Sequence, residues 1–185
     1  MAPGPVEEAE VDDGRVRIGF DVDGGVGADA GASGLLFGAK LRLGWQFDRR
    51  AAACLQGSVV WWDRSETRGN GVTASGAVGA QLTPLFSFTP SDMFEIAAGP
   101  SLDPLTTLRS VSPASSGTAS SRGSLVTFSG TYVGAHGRFA VLLGKGPNPR
   151  SGRRTALAIG ADVHTTFVEG SVLGFFTLGV GREWY

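Results

Sequence analysis

The residues best suited to chemistry in this 185-residue chain are its two histidines, His136 and His164. Arg138 lies two positions from the first and Asp162 two positions from the second, so in an extended segment each pair shares one face. A histidine within reach of a hydroxyl can activate it as a nucleophile, and Thr166 stands two positions from His164. We favour a hydrogen-bonded polar network instead, because structural ion networks also bring such groups together.

Two acids and a glycine-rich stretch are the other candidates for binding chemistry. Asp21 and Asp23 share a face and could hold a cation, but pairing with Arg17 or with Lys40 on a neighbouring strand accounts for them better. The glycines of residues 24–34 lack the strand-then-helix context of a phosphate-binding loop. The sequence therefore predicts no catalytic residue, no cofactor and no metal site.

The composition narrows the fold class. Glycine supplies 29 of the 185 residues, roughly twice its usual share, and it is costly inside helices. A hydrophobic content of 42% is too high for a disordered chain, and a net charge of −1 gives no basic footprint for nucleic acid. The single cysteine, Cys54, excludes a disulfide framework. These numbers favour a glycine-rich β protein.

Apolar and polar residues alternate along most of the chain. In residues 35–48 the odd positions are all apolar and the even positions, except Leu36, are polar or glycine. A period of two predicts a strand with one apolar and one polar face. The other segments with this pattern are 16–23, 51–62, 72–88, 93–103, 125–143, 155–168 and 172–185. Within 125–143 the apolar parity changes, which predicts a β-bulge.

Eight such strands, joined by turns, predict an all-β, eight-stranded antiparallel up-and-down β-barrel over residues 16–185. The polar face is rich in small residues and carries few charges, of both signs, which suits a narrow interior and favours a transmembrane barrel over a soluble one. We expect the polar face to fill the lumen as a network of Arg17, Asp21, Lys40, Arg42, Glu95, His136, Arg138, Asp162 and His164.

The aromatic residues of the apolar face fall into two groups. If the first strand rises from the N-terminal side, one group lies near that rim and the other near the opposite rim. Two such girdles are typical of residues at membrane interfaces. The first group is Trp45, Phe47, Phe86, Phe88, Phe94 and Trp184, and the second is Phe37, Trp61, Phe167 and Phe176.

The segments outside the strands carry weaker signals. Residues 1–15 are acidic, and we expect a disordered N-terminal segment without a signal peptide. No run of about 18 apolar residues predicts a transmembrane helix. The connections 24–34, 63–70 and 104–123 are predicted to be longer loops on the side opposite the N-terminus. The serine-rich loop 104–123 is either solvated or a contact for lipopolysaccharide, and the basic turn 144–154 suits lipid phosphates or solvent.

The alternation over residues 16–185 and the terminal aromatic pair Trp184–Tyr185 resemble the small eight-stranded outer-membrane β-barrel proteins of Gram-negative bacteria, the superfamily of outer-membrane proteins A, X and W. The resemblance implies a bacterial outer-membrane location, outer-membrane lipid and lipopolysaccharide as partners, and insertion by the barrel-assembly machinery. Roles in that group range from structural anchoring and adhesion to lipid modification, and we expect here a structural or surface-interaction role without catalysis. Because eight strands leave room only for side chains, we expect a plugged lumen and not a general porin.

Two other readings stay open. His164-Thr165-Thr166 with Glu169 resembles the His-x-Ser pair and carboxylate of a lipid A deacylase, although threonine replaces the serine. That reading requires His164 and Thr166 to be in contact. A soluble lipocalin-like barrel would instead turn Leu41, Leu43 and Ile159 toward an internal ligand cavity.

Overall fold

Eight β-strands contain almost all of the residues that the structure describes. The computed structural model describes residues 15–29, 33–68, 71–110, 124–144, 153–169 and 171–185. Within these ranges no helix is long and apolar enough to cross a membrane. The strands are β1 (Arg15–Ala28), β2 (Ser33–Gln46), β3 (Ala51–Arg68), β4 (Gly71–Ser91), β5 (Phe94–Ser110), β6 (Ser124–Leu143), β7 (Thr155–Val168) and β8 (Ser171–Trp184).

The strands form one closed antiparallel sheet in which each strand pairs with the next along the chain. The sheet closes between β1 and β8, where the register runs from Ile18 opposite Trp184 to Ala28 opposite Gly174. Closure removes both sheet edges, so every strand has hydrogen-bonding partners on two sides. The predicted eight-stranded antiparallel up-and-down barrel is confirmed.

The alternation of side chains across the sheet separates an apolar exterior from a polar interior. In β2, Leu41 and Leu43 are 57% and 58% exposed, whereas Lys40 and Arg42 between them are 3% and 2% exposed. Successive side chains of a strand point to opposite faces, and the inner face of an eight-stranded barrel is enclosed by the sheet itself. The burial of charged residues and the exposure of leucines is the reverse of a water-soluble core.

A bulge lies in β6, as the change of parity predicts. Leu105 of β5 pairs with Gly130, but Thr106 pairs with Phe128, so Ser129 is an extra residue on β6. Gly130 has a φ of +132°, a conformation that glycine adopts without a steric penalty. One extra residue in a strand shifts its pairing by one position, which is what a change of parity in the sequence indicates.

Three predicted loops are shorter than expected, because strands replace much of them. Strand β1 continues to Ala28, β3 to Arg68 and β5 to Ser110, inside the connections predicted for 24–34, 63–70 and 104–123. Backbone hydrogen bonds continue these hairpins beyond the alternating segments. An alternating pattern needs several apolar residues on one parity, and these extensions of the strands contain few. The central connection, 111–123, lies outside the described residues, as do residues 1–14 and 145–152.

The turn between β2 and β3 is organised by one side chain. Asp48 Oδ1 accepts hydrogen bonds from the backbone N–H groups of Arg50 at 2.6 Å and Ala51 at 2.8 Å. Asp48 in turn accepts a hydrogen bond on its carbonyl oxygen from Gln46 Nε2 at 2.7 Å. Asp48 therefore closes the turn in the manner of an Asx-turn.

Candidate functional site

All nine residues predicted for the lumen lie inside the barrel, and each is at most 4% exposed. They come from β1, β2, β5, β6 and β7, so the network connects strands that are not neighbours in the sheet. Buried charges are tolerated only when they are paired and hydrogen-bonded. The partners of each residue therefore decide what the interior can do.

Arg17 connects β1 to β4, β5 and β8 near the rim at which β1 begins. Its Nε atom donates to Glu183 Oε2 at 3.0 Å, and its Nη1 atom donates to Ser87 Oγ at 3.0 Å. A further nitrogen of the guanidinium is bonded to Glu95 of β5. The ring of Tyr185 lies 5.1 Å from the guanidinium carbon, a distance suited to a cation–π contact.

Arg42 and Arg138 share one acid in the middle of the lumen. Both donate to Asp21 Oδ2, and the Arg138 contact is 2.9 Å. Arg42 also donates to Glu183 Oε1, the second oxygen of the carboxylate that binds Arg17. Arg17, Arg42 and Arg138 thus face three carboxylates, those of Asp21, Glu95 and Glu183, and this part of the network is electrically balanced.

Lys40 lies between two acids on the opposite side of this cluster. Its Nζ atom is 2.9 Å from Asp23 Oδ2 and 2.9 Å from Asp162 Oδ2, and it donates to Thr177 Oγ1 at 3.1 Å. The ammonium therefore connects β1, β2, β7 and β8. The pairing of Asp23 with Lys40 accounts for this acid without a bound cation.

The two histidines form a row with two carboxylates across the lumen. His136 Nε2 lies 3.0 Å from Asp162 Oδ1, and His164 Nε2 lies 3.0 Å from Asp103 Oδ2. The two Nδ1 atoms face each other at 3.3 Å. Beside the row is a cavity of about 10 Å³, and His136, His164, Lys40 and Asp162 are among its lining residues. That volume is close to the minimum for one water molecule.

The contact that a hydrolase would require is present, but its geometry differs from a catalytic triad. Thr166 Oγ1 lies 3.2 Å from His164 Nε2 and donates to Asp103 Oδ2 at 2.8 Å. The same histidine nitrogen faces both the acid and the hydroxyl, whereas a triad uses the two ring nitrogens for these two partners. Thr166 has no solvent exposure. Glu169, the acid of the sequence match, is exposed in the turn after β7.

An apolar cluster fills the lumen next to the histidines, toward the rim opposite the N-terminus. Trp62 and Phe175 meet edge to face, with 5.7 Å between ring centroids, and Phe175 stacks on His164 at 6.0 Å. We call this cluster the apolar cap. Its buried members are Leu36, Val60, Trp62, Leu173 and Phe175.

At the other end of the lumen, the side chain of Tyr185 points inward. Tyr185 is 9% exposed, while Trp184 before it is 39% exposed on the outer surface. Arg154 donates to the Tyr185 hydroxyl at 3.2 Å and to the carbonyl oxygen of Leu142 at 3.3 Å. The parity of the terminal segment, which favours an outward Trp184, agrees with this arrangement.

Sequence reasoning missed several interior residues. Glu183 and Asp103 are as buried as the nine predicted members and have partners among them. Each lies on the polar parity of its strand, so a rule that took every charge on that parity would have found them. The apolar cap gave a weaker signal, because Trp61–Trp62 and Phe175–Phe176 are apolar on both parities.

The ten aromatic residues predicted for the membrane interfaces all point outward and are 39–59% exposed. Phe37 and Trp61 are directly opposite each other in the β2–β3 register, near the rim opposite the N-terminus. Near the other rim, Phe94 stacks on Phe139 with 5.9 Å between ring centroids. Their order along the strands gives one group of aromatics toward each rim.

Comparison with known proteins identifies the architecture. No protein-family model matches the sequence, and no curated protein matches it. Neisserial surface protein A matches with a TM-score of 0.59 and 12% identity over 92% of this chain and 97% of that one. The attachment invasion locus protein Ail of Yersinia pestis, solved in complex with the heparin analogue sucrose octasulfate, matches with a TM-score of 0.51 and 13% identity over the same shares. The chain therefore has the fold of the small eight-stranded outer-membrane β-barrel proteins.

Proposed function

We propose that this protein is an integral barrel of a bacterial outer membrane, with a structural or surface-interaction role and no catalytic activity. The observation that carries the proposal is the reversed distribution of side chains, with charged residues inside and large apolar residues outside. Leu41, Leu43 and Ile159 are 57%, 58% and 48% exposed. In water such a surface would aggregate, whereas in a bilayer it faces acyl chains.

The dimensions of the barrel fit a bilayer. Strands β1, β2, β7 and β8 each contain 14 residues. At about 3.4 Å per residue and a tilt of about 45°, such strands rise about 34 Å. That height spans an outer apolar band of about 25 Å and leaves room for an aromatic belt at each edge. Outer-membrane lipid and lipopolysaccharide are the partners that this surface would contact, after insertion by the barrel-assembly machinery.

The contents of the lumen support a closed barrel. The ionic network fills the middle, and the apolar cap lies between it and the rim opposite the N-terminus. Solutes would have to break several buried ion pairs and displace Trp62 and Phe175 to pass. We therefore do not assign this barrel the activity of a general porin.

A surface role agrees with the fold comparison. Ail was solved with a bound heparin analogue, so a barrel of this fold can present a ligand-binding surface. In this protein, the paired hairpins β3–β4 and β5–β6 extend farthest toward the rim opposite the N-terminus. They are the elements on which such a surface would be built.

The two rival functions fit the geometry less well. A soluble lipocalin-like barrel needs Leu41, Leu43 and Ile159 inside, and they lie outside. A lipid A hydrolase needs a nucleophile that an acyl ester can reach, but Thr166 is fully buried, and the cavity beside His164 holds about 10 Å³. Mass spectrometry of lipid A from cells expressing the protein should show no loss of acyl chains. A loss that disappears in the His164→Ala variant would establish the hydrolase.

Membrane fractionation tests the location. The protein should appear in the outer-membrane fraction, need detergent for extraction, and migrate on a gel at different positions before and after boiling. A protein that purifies from the soluble fraction without detergent would refute the membrane assignment.

Planar-bilayer recording tests the closed lumen. The wild-type barrel should give no stable large conductance. Phe175→Ala removes a ring from the apolar cap, and Phe176→Ala removes the neighbouring ring from the outer surface. If either variant shows more brief channel openings than the wild type, we expect it to be Phe175→Ala and not Phe176→Ala. Stable large conductance in the wild type would contradict the proposal.

A further inference from the structure

The protonation of the two lumen histidines can be worked out from their partners. Asp162 and Asp103 each lie 3.0 Å from an Nε2 atom, of His136 and His164 respectively. An ionised carboxylate only accepts hydrogen bonds, so each Nε2 must carry a hydrogen to make its contact.

Asp103 accepts hydrogen bonds from two hydroxyl groups besides its contact with His164. Ser101 Oγ donates to Asp103 Oδ2 at 3.1 Å, and Thr166 Oγ1 donates to the same oxygen at 2.8 Å. Asp162 has Lys40 at 2.9 Å and Arg138 at 3.5 Å. Two hydroxyl donors at one acid and two cations at the other favour carboxylates over carboxylic acids.

With both Nε2 atoms protonated, two neutral imidazoles would direct unprotonated Nδ1 atoms at each other across 3.3 Å. Two lone pairs at that distance repel. A single hydrogen between them turns the contact into an N–H···N hydrogen bond. A hydrogen on both Nδ1 atoms would bring two donors, and two positive charges, face to face.

The charges of the interior independently favour a positive charge on the histidine pair. Among the described residues, the buried basic side chains are Arg17, Lys40, Arg42, Arg138 and Arg154, five in number, and the buried acids are Asp21, Asp23, Glu95, Asp103, Asp162 and Glu183, six in number. Arg154 lies at the other end of the lumen, where it bonds Tyr185 and the carbonyl oxygen of Leu142. Because the three arginines of the middle lumen face three of the acids, Lys40 is the basic residue left on the side of the histidines, with Asp23, Asp103 and Asp162, and a positive charge on the histidine pair lowers this excess of acid.

We propose that His136 and His164 form a single proton-binding site, in which one proton is shared between their Nδ1 atoms and gives the pair one positive charge. This inference concerns the interior alone and does not depend on the membrane location.

The groups around the site are consistent with this charge. The charged side chains facing it are Asp23 from β1, Lys40 from β2, Asp103 from β5, Arg138 from β6 and Asp162 from β7. From β3, β4 and β8 the neighbours are uncharged: Gln56, which lies 3.4 Å from His136 Nε2, Gln81, Thr177 and Phe175.

Nitrogen NMR of the full chain counts the protons directly. The wild-type protein, labelled with ¹⁵N-histidine and folded in detergent micelles at pH 7 after treatment with a chelator, should show three ring hydrogens for the two imidazoles. Both Nε2 signals should be those of protonated nitrogen, and the Nδ1 signals should lie between the protonated and unprotonated values. Two or four ring hydrogens would overturn the proposal, as would one equivalent of bound metal that shifts both Nδ1 signals before chelation.

A double-mutant cycle tests the charge. His136→Gln removes the shared proton, and Asp103→Asn removes an acid for which no contact with His136 is seen. If the proton balances the excess acid, the double variant should unfold at a higher denaturant concentration than the sum of the two single effects predicts. Ser101→Ala, which removes an uncharged partner of Asp103, should be additive with His136→Gln. Additivity in both cycles would overturn the proposal.

Discussion

At Gly99 of β5, a methyl group would lie 1.8 Å from the carbonyl oxygen of Pro84 on β4, a distance that no relaxed structure tolerates. Gly181 has the same constraint from the carbonyl oxygen of Phe20 and from the carboxylate of Asp21, each at 2.0 Å. Glycine on the inner face therefore leaves space that the backbone and the ion pairs of neighbouring strands occupy. Gly137, which faces outward, has no atom within 4 Å of the same position.

This contrast predicts different costs for the same substitution. Gly99→Ala should lower the free energy of unfolding by about 1–3 kcal/mol, because backbone must move to admit the methyl group. Gly137→Ala should change it by no more than about 0.5 kcal/mol. Urea unfolding of both variants in detergent micelles provides the measurement. Equal losses in the two variants would show that the inner face is not tightly filled.

The Asp48 carboxylate gives a prediction for the turn after β2. The backbone N–H groups of Arg50 and Ala51 bind the ionised form and lower its pKa below the ordinary value. A lowered pKa in the folded state means that the turn is stabilised above the unfolded pKa, about 3.9. This stabilisation disappears as the pH falls through the folded pKa.

A side-chain NMR titration should therefore place the midpoint of Asp48 below the ordinary value for aspartate. Asp48→Asn keeps an oxygen acceptor but does not titrate, so its unfolding free energy should lose this contribution to the pH dependence below pH 4. A wild-type midpoint at the ordinary value would contradict the role of the two N–H groups.

For single residues, the sequence predicts which face of its strand a side chain lies on better than it predicts which residue that side chain contacts. The parity of Arg42 and Leu41 decides which enters the lumen, and each strand can be assigned separately. That Arg17 meets Glu95, 78 positions away, depends on how far successive strands shift around the closed barrel. No local pattern contains that shift.

Among the elements, the β3–β4 hairpin extends farthest beyond the apolar part of its strands. Its register continues past Trp61 to Arg68 opposite Gly71. Up to Ser65 on β3 and from Ser75 on β4 the ribbon also pairs with β2 and β5, whereas residues 66–68 pair with 71–73 of the same hairpin. The outer apolar band ends near Trp61, which lies opposite Val78.

Shortening this hairpin should leave the barrel intact. Ser65 pairs with Ala74, so replacing residues 66–73 with Asn-Gly gives a two-residue hairpin turn of a favoured type. The variant should keep its heat-modifiable migration and a denaturation midpoint close to that of the wild type. A variant that no longer folds would show that the ribbon takes part in closing the barrel.

The order and number of strands could be read from the sequence, because each strand has an apolar face of its own. Their ends could not. Beyond Trp61 on β3 and Leu105 on β5 the sequence has too few apolar residues to show an alternation, and such a sequence in a β-ribbon cannot be distinguished from one in a loop. The bulge near Gly130 was predictable because it interrupts an alternation that resumes on the other parity.

At the scale of the whole molecule, the assignment of a polar inside and an apolar outside can be tested with two adjacent residues that have different surroundings, Trp61 and Trp62. Trp62 is 4% exposed inside the apolar cap, and Trp61 is 48% exposed on the outer surface. Trp62→Ala should lower the free energy of unfolding by about 3–5 kcal/mol because it leaves a cavity in packed surroundings. Trp61→Ala should cost clearly less, since detergent or lipid refills the vacated space. Guanidinium unfolding in micelles compares the two, and an equal or larger loss for Trp61→Ala would contradict the assigned inside and outside.

The pairing of β1 with β8 also affects the order in which parts of the barrel fold. Arg17 reaches Glu183 across 166 positions of sequence, so the contacts that close the barrel are also among the most distant along the chain. Contacts of such separation carry a large loop-closure entropy and make folding slow. Hairpins can form early from neighbouring strands, but the charged lumen has no enclosure until the last strand meets the first. Until then the arginines and carboxylates remain hydrated, and closure and desolvation are coupled into a single late step.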